Sequence, residues 1–342
     1  MIAEADMAHC REAIRVGSLS FHAASRLLPP KVRDPALALY AFCRLADDAV
    51  DEGDDKARAV LSLRDRLDAV YAGRPRNACA DRAFAAVVED FDMPRALPEA
   101  LLEGLAWDAV GRRYDTFSGV LDYSARVASA VGAMMCVLMR VRHPDALARA
   151  CDLGLAMQLT NIARDVGEDA RAGRIYLPLH WLEEAGIDLN RFLSDPRPDP
   201  RVNALVARLL AEAEPFYTRS GAGIALLPLS CRAGIHAARM IYAGIGGAVA
   251  RNGHDSLSQR AHTGRGQKLR WLGLAMGQTA TSMFLPVPAT LHARPAREVE
   301  FLVQAAAYPR KTHSRSEAVL SVLSQLEAQD RSRHAGFAGM RA

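Results

Sequence analysis

Few residues in this chain suit anything but helix. Aromatics make up only 6% of the sequence, and β-branched runs long enough for buried strands are nearly absent, so a sheet fold lacks its raw material. Charge of one sign is missing too. Lys and Arg number 43 against 39 Asp and Glu, a formal +4, with no block of five like charges, which argues against a polybasic arm and against nucleic-acid partners. The six cysteines (Cys10, Cys43, Cys79, Cys136, Cys151, Cys231) include no C-x-x-C pair and no His at zinc spacing. They read as small apolar core residues in a reducing compartment. The start, Met1-Ile2-Ala3-Glu4-Ala5-Asp6, lacks the apolar h-region of a signal peptide. The apolar stretches near Val131–Val141 and Leu272–Ala289 are short or interrupted, below the roughly 18–20 apolar residues a spanning helix takes. A soluble cytoplasmic protein is expected, with a helical surface still free to touch a membrane.

What is present is 50% apolar and rich in Ala, Leu and Arg, patterned with helical periodicity between short Gly/Pro breaks. This predicts helices near 4–16, 19–28, 34–52, 56–72, 79–92, 97–110, 119–142, 144–168, 179–185, 201–220, 222–228, 231–252 and 257–283. The run Asp195-Pro196-Arg197-Pro198-Asp199-Pro200 reads as a loop, and Pro286-Val287-Pro288 as the end of the helical body. Ser314 with Glu317 has the form of a capping box opening a last helix near 315–330. The expectation is an all-α protein, with one helical domain over 1–290 and an extension over 291–342 carrying one short helix.

Two acidic clusters carry the chemistry. In Tyr40-Ala41-Phe42-Cys43-Arg44-Leu45-Ala46-Asp47-Asp48-Ala49-Val50-Asp51, helical spacing gathers Asp47, Asp48 and Asp51 within about one turn. Arg44 can balance part of that charge; divalent cations could balance the rest. Taken alone, this cluster reads more simply as a solvated face, and an EF-hand is rejected because Gly and Glu are out of register. The second cluster, Gln158-Leu159-Thr160-Asn161-Ile162-Ala163-Arg164-Asp165-Val166-Gly167-Glu168-Asp169, sets an apolar stripe (Leu155, Leu159, Ile162, Val166) beside a polar one (Gln158, Asn161, Asp165, Asp169). Amides and short acids are weak helix formers. They suit the wall of an interior polar cavity better than a solvated face. Two such helices facing across a bundle could hold hard cations through oxygen, completed by waters and a phosphorylated ligand.

At these residues the sequence resembles the squalene/phytoene synthase family, its bacterial phytoene-forming members in particular. The resemblance runs from Ser18-Leu19-Ser20-Phe21-His22 to about Leu269. It rests on the blocks Tyr40–Asp51 and Gln158–Pro178, the second continuing through Arg171-Ala172-Gly173-Arg174-Ile175-Tyr176-Leu177-Pro178. Head-to-tail chain elongases share the metal logic but lack the Tyr-x-Phe-Cys-Arg and Asn-Ile-x-Arg-Asp contexts. The resemblance implies a single-domain isoprenoid synthase helical bundle around a central cavity, and a prenyltransferase. The reaction it implies joins two geranylgeranyl diphosphates head to head, through a cyclopropylcarbinyl diphosphate, to phytoene. It also implies metal ligation by Asp47, Asp48, Asp51, Asn161, Asp165 and Asp169, with magnesium, or manganese in its place, and no nucleotide cofactor. By the same match Gln158, Asn161, Arg44, Arg164 and Arg260 would bind diphosphate. Ser20, Phe21, Tyr40, Tyr123 and Tyr176 would line the reaction chamber. A peripheral membrane contact and handover to a downstream carotenoid desaturase are further expectations.

The plainer readings stay open beside these. Arg44 and Arg164 could be structural counter-ions, the tyrosines core aromatics with satisfied hydroxyls, and Arg260 a solvated loop residue. Farnesyl diphosphate as substrate, giving squalene or dehydrosqualene, would use the same chemistry. A non-catalytic scaffold relative would keep the fold but lose the carboxylates, and both aspartate motifs are intact here.

Overall fold

The computed structural model describes residues 2–51, 56–282 and 288–307, and all regular structure among them is helical. The helix expected near 315–330, with Ser314 and Glu317, lies outside the described residues. So do the side chains of Asp47 and Asp51. The helices are α1 Glu4–Gly17, α2 Leu19–Ser25, α3 Pro30–Asp51, α4 Lys56–Tyr71, α5 Cys79–Phe91, α6 Ala96–Ala109, α7 Phe117–Ser124, α8 Ala130–Leu138, α9 Pro144–Arg171, α10 Leu179–Glu184, α11 Leu189–Ser194, α12 Pro200–Gly223, α13 Leu229–Arg251, α14 Arg265–Thr281 and α15 Glu300–Ala306.

Local chemistry sets the ends of the central helix. Pro144 opens α9 at a position where its missing N–H costs nothing, and the His143 ring nitrogen accepts from the Asp145 N–H at 3.2 Å. Gly173, with φ of +73°, turns the chain out just past the other end. Leu147, Cys151, Leu155, Leu159, Ile162 and Val166 repeat at helical spacing and are all buried. Each fully buried leucine of that stripe contributes about 1.5–3 kcal/mol. α12, opened by Asp199 and Pro200, packs along α9, and α7, α8, α13 and α15 also pack on it.

Three sequence expectations change. The helix expected over 119–142 begins at Phe117 and ends at Leu138, and a π-helical turn over Ala125–Ser129 joins α7 to α8. It is apolar enough to pass for a membrane span, yet 61% of its apolar window is buried, and it lines the cavity described below. The helix expected over 257–283 starts only at Arg265. Before it, the Asp255 carboxylate accepts from the N–H groups of Leu257 and Ser258 at 3.0 and 2.9 Å, holding a turn that competes with helix. The helix expected from residue 34 begins at Pro30, a proline at the first helical position where its missing N–H costs nothing, and it continues through Pro35 in its second turn. Residues 289–306 fold onto the same compact unit, which runs through Ala306, with α15 against α6, α8 and α9.

Candidate active site

A cavity of about 430 Å³ lies between α2, α3, α6, α8, α9 and α13. Its polar end is made by Tyr40 and Arg44 of α3, Asp108 of α6, and Gln158 and Asn161 of α9; Leu37, Met135, Met157, Leu227 and Ile235 are among its apolar walls. Both acidic motifs therefore begin on turns that face one chamber. Helical periodicity carries each polar stripe one turn further to its aspartates. On α3, Arg44 Nε donates to Asp48 at 3.1 Å and Nη2 stands 2.5 Å from the other oxygen. On α9, Asn161 Nδ2 donates to Gln158 Oε1 at 3.4 Å, while Asn161 Oδ1 is buried without a protein partner.

The second motif is held by two arginines. Arg164 donates to both Asp165 oxygens at 2.7 and 2.5 Å, and Arg260 donates to the same pair at 2.8 and 3.2 Å. Arg260, far away in sequence, arrives there because Gly167 lets the loop close in. The Gly167 N–H donates to the Ser256 carbonyl at 3.1 Å, and a Cβ at 167 would stand 2.5 Å from that oxygen. Burial pushes the Asp165 carboxyl up, but the two guanidiniums outweigh it and hold Asp165 below the usual carboxylate range. One turn on, Asp169 is pushed up to about 7, first by burial and then by the Asp165 charge.

That contrast yields a stability prediction. A folded-state pKa raised from 3.8 to about 7 means that folding favours the protonated acid. Its stabilisation is complete below the unfolded value and is lost as pH rises through 7. Asp169→Asn should therefore stabilise the magnesium-free protein at about pH 8 by roughly 2–4 kcal/mol, a gain that shrinks as pH falls through 7 and is nearly gone by about pH 4. Thermal melts at the two pH values check this; an equal difference at both would count against it.

A third acid, which the sequence reading missed, organises the tyrosines. Asp108 accepts from Tyr123 and Tyr176 hydroxyls, each at 2.8 Å, and their rings stack with centroids 5.0 Å apart. Tyr114 adds a ring 5.4 Å from Tyr123. Burial raises both bonded hydroxyls above the usual phenol range, so they remain donors to Asp108. Tyr242 of α13, also missed, lines the cavity with its ring 5.4 Å from Phe21, which in turn lies 6.3 Å from Tyr40. Phe21, Tyr40, Arg44, Tyr123, Gln158 and Asn161 thus line the chamber together. Tyr176 reaches it through Asp108, and Ser20, on α2, is not among its lining residues.

Among the described residues no group of three or more His, Cys, Asp or Glu forms a metal-holding cluster; the side chains of Asp47 and Asp51 are not among those described. The α9 donor set nevertheless fits a hard divalent cation. It offers an unpartnered buried amide oxygen on Asn161, and on Asp169 a carboxylate whose charge is disfavoured by burial and by the Asp165 charge more than the nearby Arg174 offsets.

The family model for squalene/phytoene synthase matches residues 14–267. The chain belongs to the squalene/phytoene synthase family. Within that family it is 69% identical over 341 residues to a phytoene synthase of Cereibacter sphaeroides, covering 97% of this chain and 96% of that one. It is 63% identical over 336 residues to a phytoene synthase of Rhodobacter capsulatus, covering 97% and 98%. Among solved structures, a dehydrosqualene synthase in complex with ligand superposes with a TM-score of 0.75 at 31% identity, over 81% of this chain and 98% of the other. The all-α isoprenoid synthase bundle expected from the sequence is therefore the fold observed.

Proposed function

We propose that the protein condenses two geranylgeranyl diphosphates head to head to give phytoene, in carotenoid biosynthesis. The observation that carries this reading is the chamber, with Tyr40, Arg44, Asp108, Gln158 and Asn161 gathered at one end and mostly apolar walls beyond. Two near-full-length relatives bearing the name phytoene synthase support it. In this reading one diphosphate leaves, the allyl cation alkylates the double bond of the second substrate, and a proton is lost to give a cyclopropylcarbinyl diphosphate. Departure of the second diphosphate is followed by rearrangement and loss of a proton.

Asp47, Asp48, Asp51, Asn161, Asp165 and Asp169 would hold magnesium, or manganese in its place. When bound, the metal supplies Lewis-acid stabilisation of the leaving diphosphate. Arg44, Arg164 and Arg260, with Gln158, would hold diphosphate oxygens, since a guanidinium offers two parallel donors to such an anion. Arg164 and Arg260 are already oriented by Asp165. Phe21, Tyr40 and Tyr123 turn aromatic surface into the chamber, where ring faces stabilise a passing cation; Asp108 fixes the hydroxyls of Tyr123 and Tyr176. The apolar walls keep water from the cation. The product is a long hydrocarbon, so the protein works in the cytoplasm against the inner membrane face, handing its product to a desaturase there.

Incubating pure protein with magnesium and radiolabelled geranylgeranyl or farnesyl diphosphate, then extracting and chromatographing, tests the proposal. The expected result is a C40 hydrocarbon from the longer substrate. A C30 product from the shorter one alone would keep the mechanism and change the substrate, and no hydrocarbon from either would sink the reading.

A further inference from the structure

Helix α14 is apolar on both sides. Its inner side packs on α13 and α2, where Ala275 is fully buried in one cluster with Ala24 and Ala237, and Leu272 and Ala238 pack against them. Its outer side should then be polar, but Leu269, Gly273, Met276, Gly277 and Ala280, at spacings of 4, 3, 1 and 3, are all exposed. Leu269 is 69% exposed, Met276 60% and Leu274 48%. On the neighbouring α2, Leu19 is 67% exposed.

The stretch of sequence that contains this helix carries charge of one sign. From Ser256 to Arg297 the sequence contains no Asp or Glu, and its cations are Arg260, Arg265, Lys268, Arg270, Arg294 and Arg297. Arg260 is committed to Asp165, but Lys268 and Arg270 flank the apolar stripe at its N-terminal end. The inner side matters equally. Ala24 and Ala238 line the cavity and also belong to, or pack on, the cluster with Ala275, so one layer of alanine side chains separates α14 from the chamber.

We propose that α14 is a membrane-docking helix that lies on an anionic phospholipid surface, with Leu269, Leu274 and Met276 in the apolar boundary and Lys268 and Arg270 at the headgroups. An exposed apolar stripe with cations and no acid is the pattern that binds such surfaces. A protein partner of unspecified charge would give no reason to exclude acids over 42 consecutive positions, 256–297. The proposal rests on the reading above that the product is an apolar hydrocarbon, and it places this alanine layer of the cavity wall beside lipid.

The test is co-sedimentation of the full chain, without substrate, with phosphatidylcholine vesicles that either contain or lack about 30% phosphatidylglycerol. The wild type should bind the anionic vesicles and lose binding as salt rises. Leu269→Glu with Met276→Glu should weaken binding at least roughly tenfold, with turnover in detergent micelles kept within about twofold. Lys268→Gln with Arg270→Gln should reduce binding to anionic vesicles only. Equal binding by wild type and the Glu variant would overturn the proposal, as would no binding by the wild type. So would a Glu variant that changes only the sedimentation velocity of the free protein, since the stripe would then meet a second copy. Loss of vesicle binding by the Glu variant, with no hydrocarbon from either protein in micelles, would leave the surface standing and remove the proposed reaction instead.

Discussion

Asp165→Asn is expected to lower turnover by about 10³-fold or more while leaving the helical fold in place. A carboxylate that holds a catalytic cation is worth several kcal/mol of transition-state stabilisation, and about 4 kcal/mol corresponds to roughly 10³ in rate. Asp165 has a second task, because its two oxygens hold both Arg164 and Arg260. An amide can accept at one oxygen only and brings no charge, so both arginines proposed to bind diphosphate would also lose their orientation. Asp47→Asn should behave alike on the evidence of its motif. Asp48→Asn should cost less than about tenfold, since Asp48 is half-exposed and occupied by Arg44. Turnover at saturating magnesium, measured beside circular-dichroism melts, separates these cases. Full activity of Asp165→Asn would remove Asp165 from the ligand set.

The reach of the sequence follows the range of the contacts involved. Gln158, Asn161, Asp165 and Asp169 were legible as one stripe because all four lie on one helix, and helical spacing alone determines which face they share. Tyr40 and Arg44 were legible for the same reason on α3. Asp108 was not, because its significance depends on Tyr123 and Tyr176, which are 15 and 68 residues away. Tyr242 shares that fate: nothing near it in the chain distinguishes it from a core tyrosine, and its neighbour Phe21 comes from the other end of the sequence. Arg260 could be placed only by resemblance, since its contact with Asp165 spans 95 residues and depends on the close approach at Gly167.

Helix ends show the same division. The start of α9 is written in His143-Pro144 and its end in Gly173, both local signals. The π-helical turn at Ala125–Ser129 has no such signal, because what selects it is the packing of α7 and α8 against α6 and α9. The start of α14 was displaced by an aspartate turn that periodicity alone cannot detect.

The largest stability effect should come from a group outside the proposed chemistry. Asp152→Ala is expected to destabilise the fold by about 3–5 kcal/mol, a fall of roughly 5–15 °C in melting temperature. Arg149 and Asp152 are both fully buried, with Arg149 Nε 2.8 Å from Asp152 Oδ2, and Arg219 donates to that oxygen at 3.1 Å. Burial moves both partners toward neutrality, raising Asp152 to about 6 and lowering Arg149, so the pair is balanced by its geometry and not by surplus attraction. Removing the acid leaves two guanidiniums together, one of them wholly buried. Arg149 also donates to the carbonyls of Thr290 and Ala293 at 2.6 and 3.0 Å, and its stem lies where Gly223 has no Cβ, which would otherwise stand 2.3 Å from the Arg149 Cβ. One side chain thus seals the cavity wall and straps residues 290–293 to the bundle. A double variant, Arg149→Met with Asp152→Leu, should recover the electrostatic part of the loss, because apolar replacement of a buried pair is often neutral. It should not recover the strap, so trypsin should still cleave after Arg297 faster than in wild type. If the double variant melts as low as Asp152→Ala, the unpaired buried charge is not the cause; if Asp152→Ala costs under about 1 kcal/mol, the network is not holding the fold.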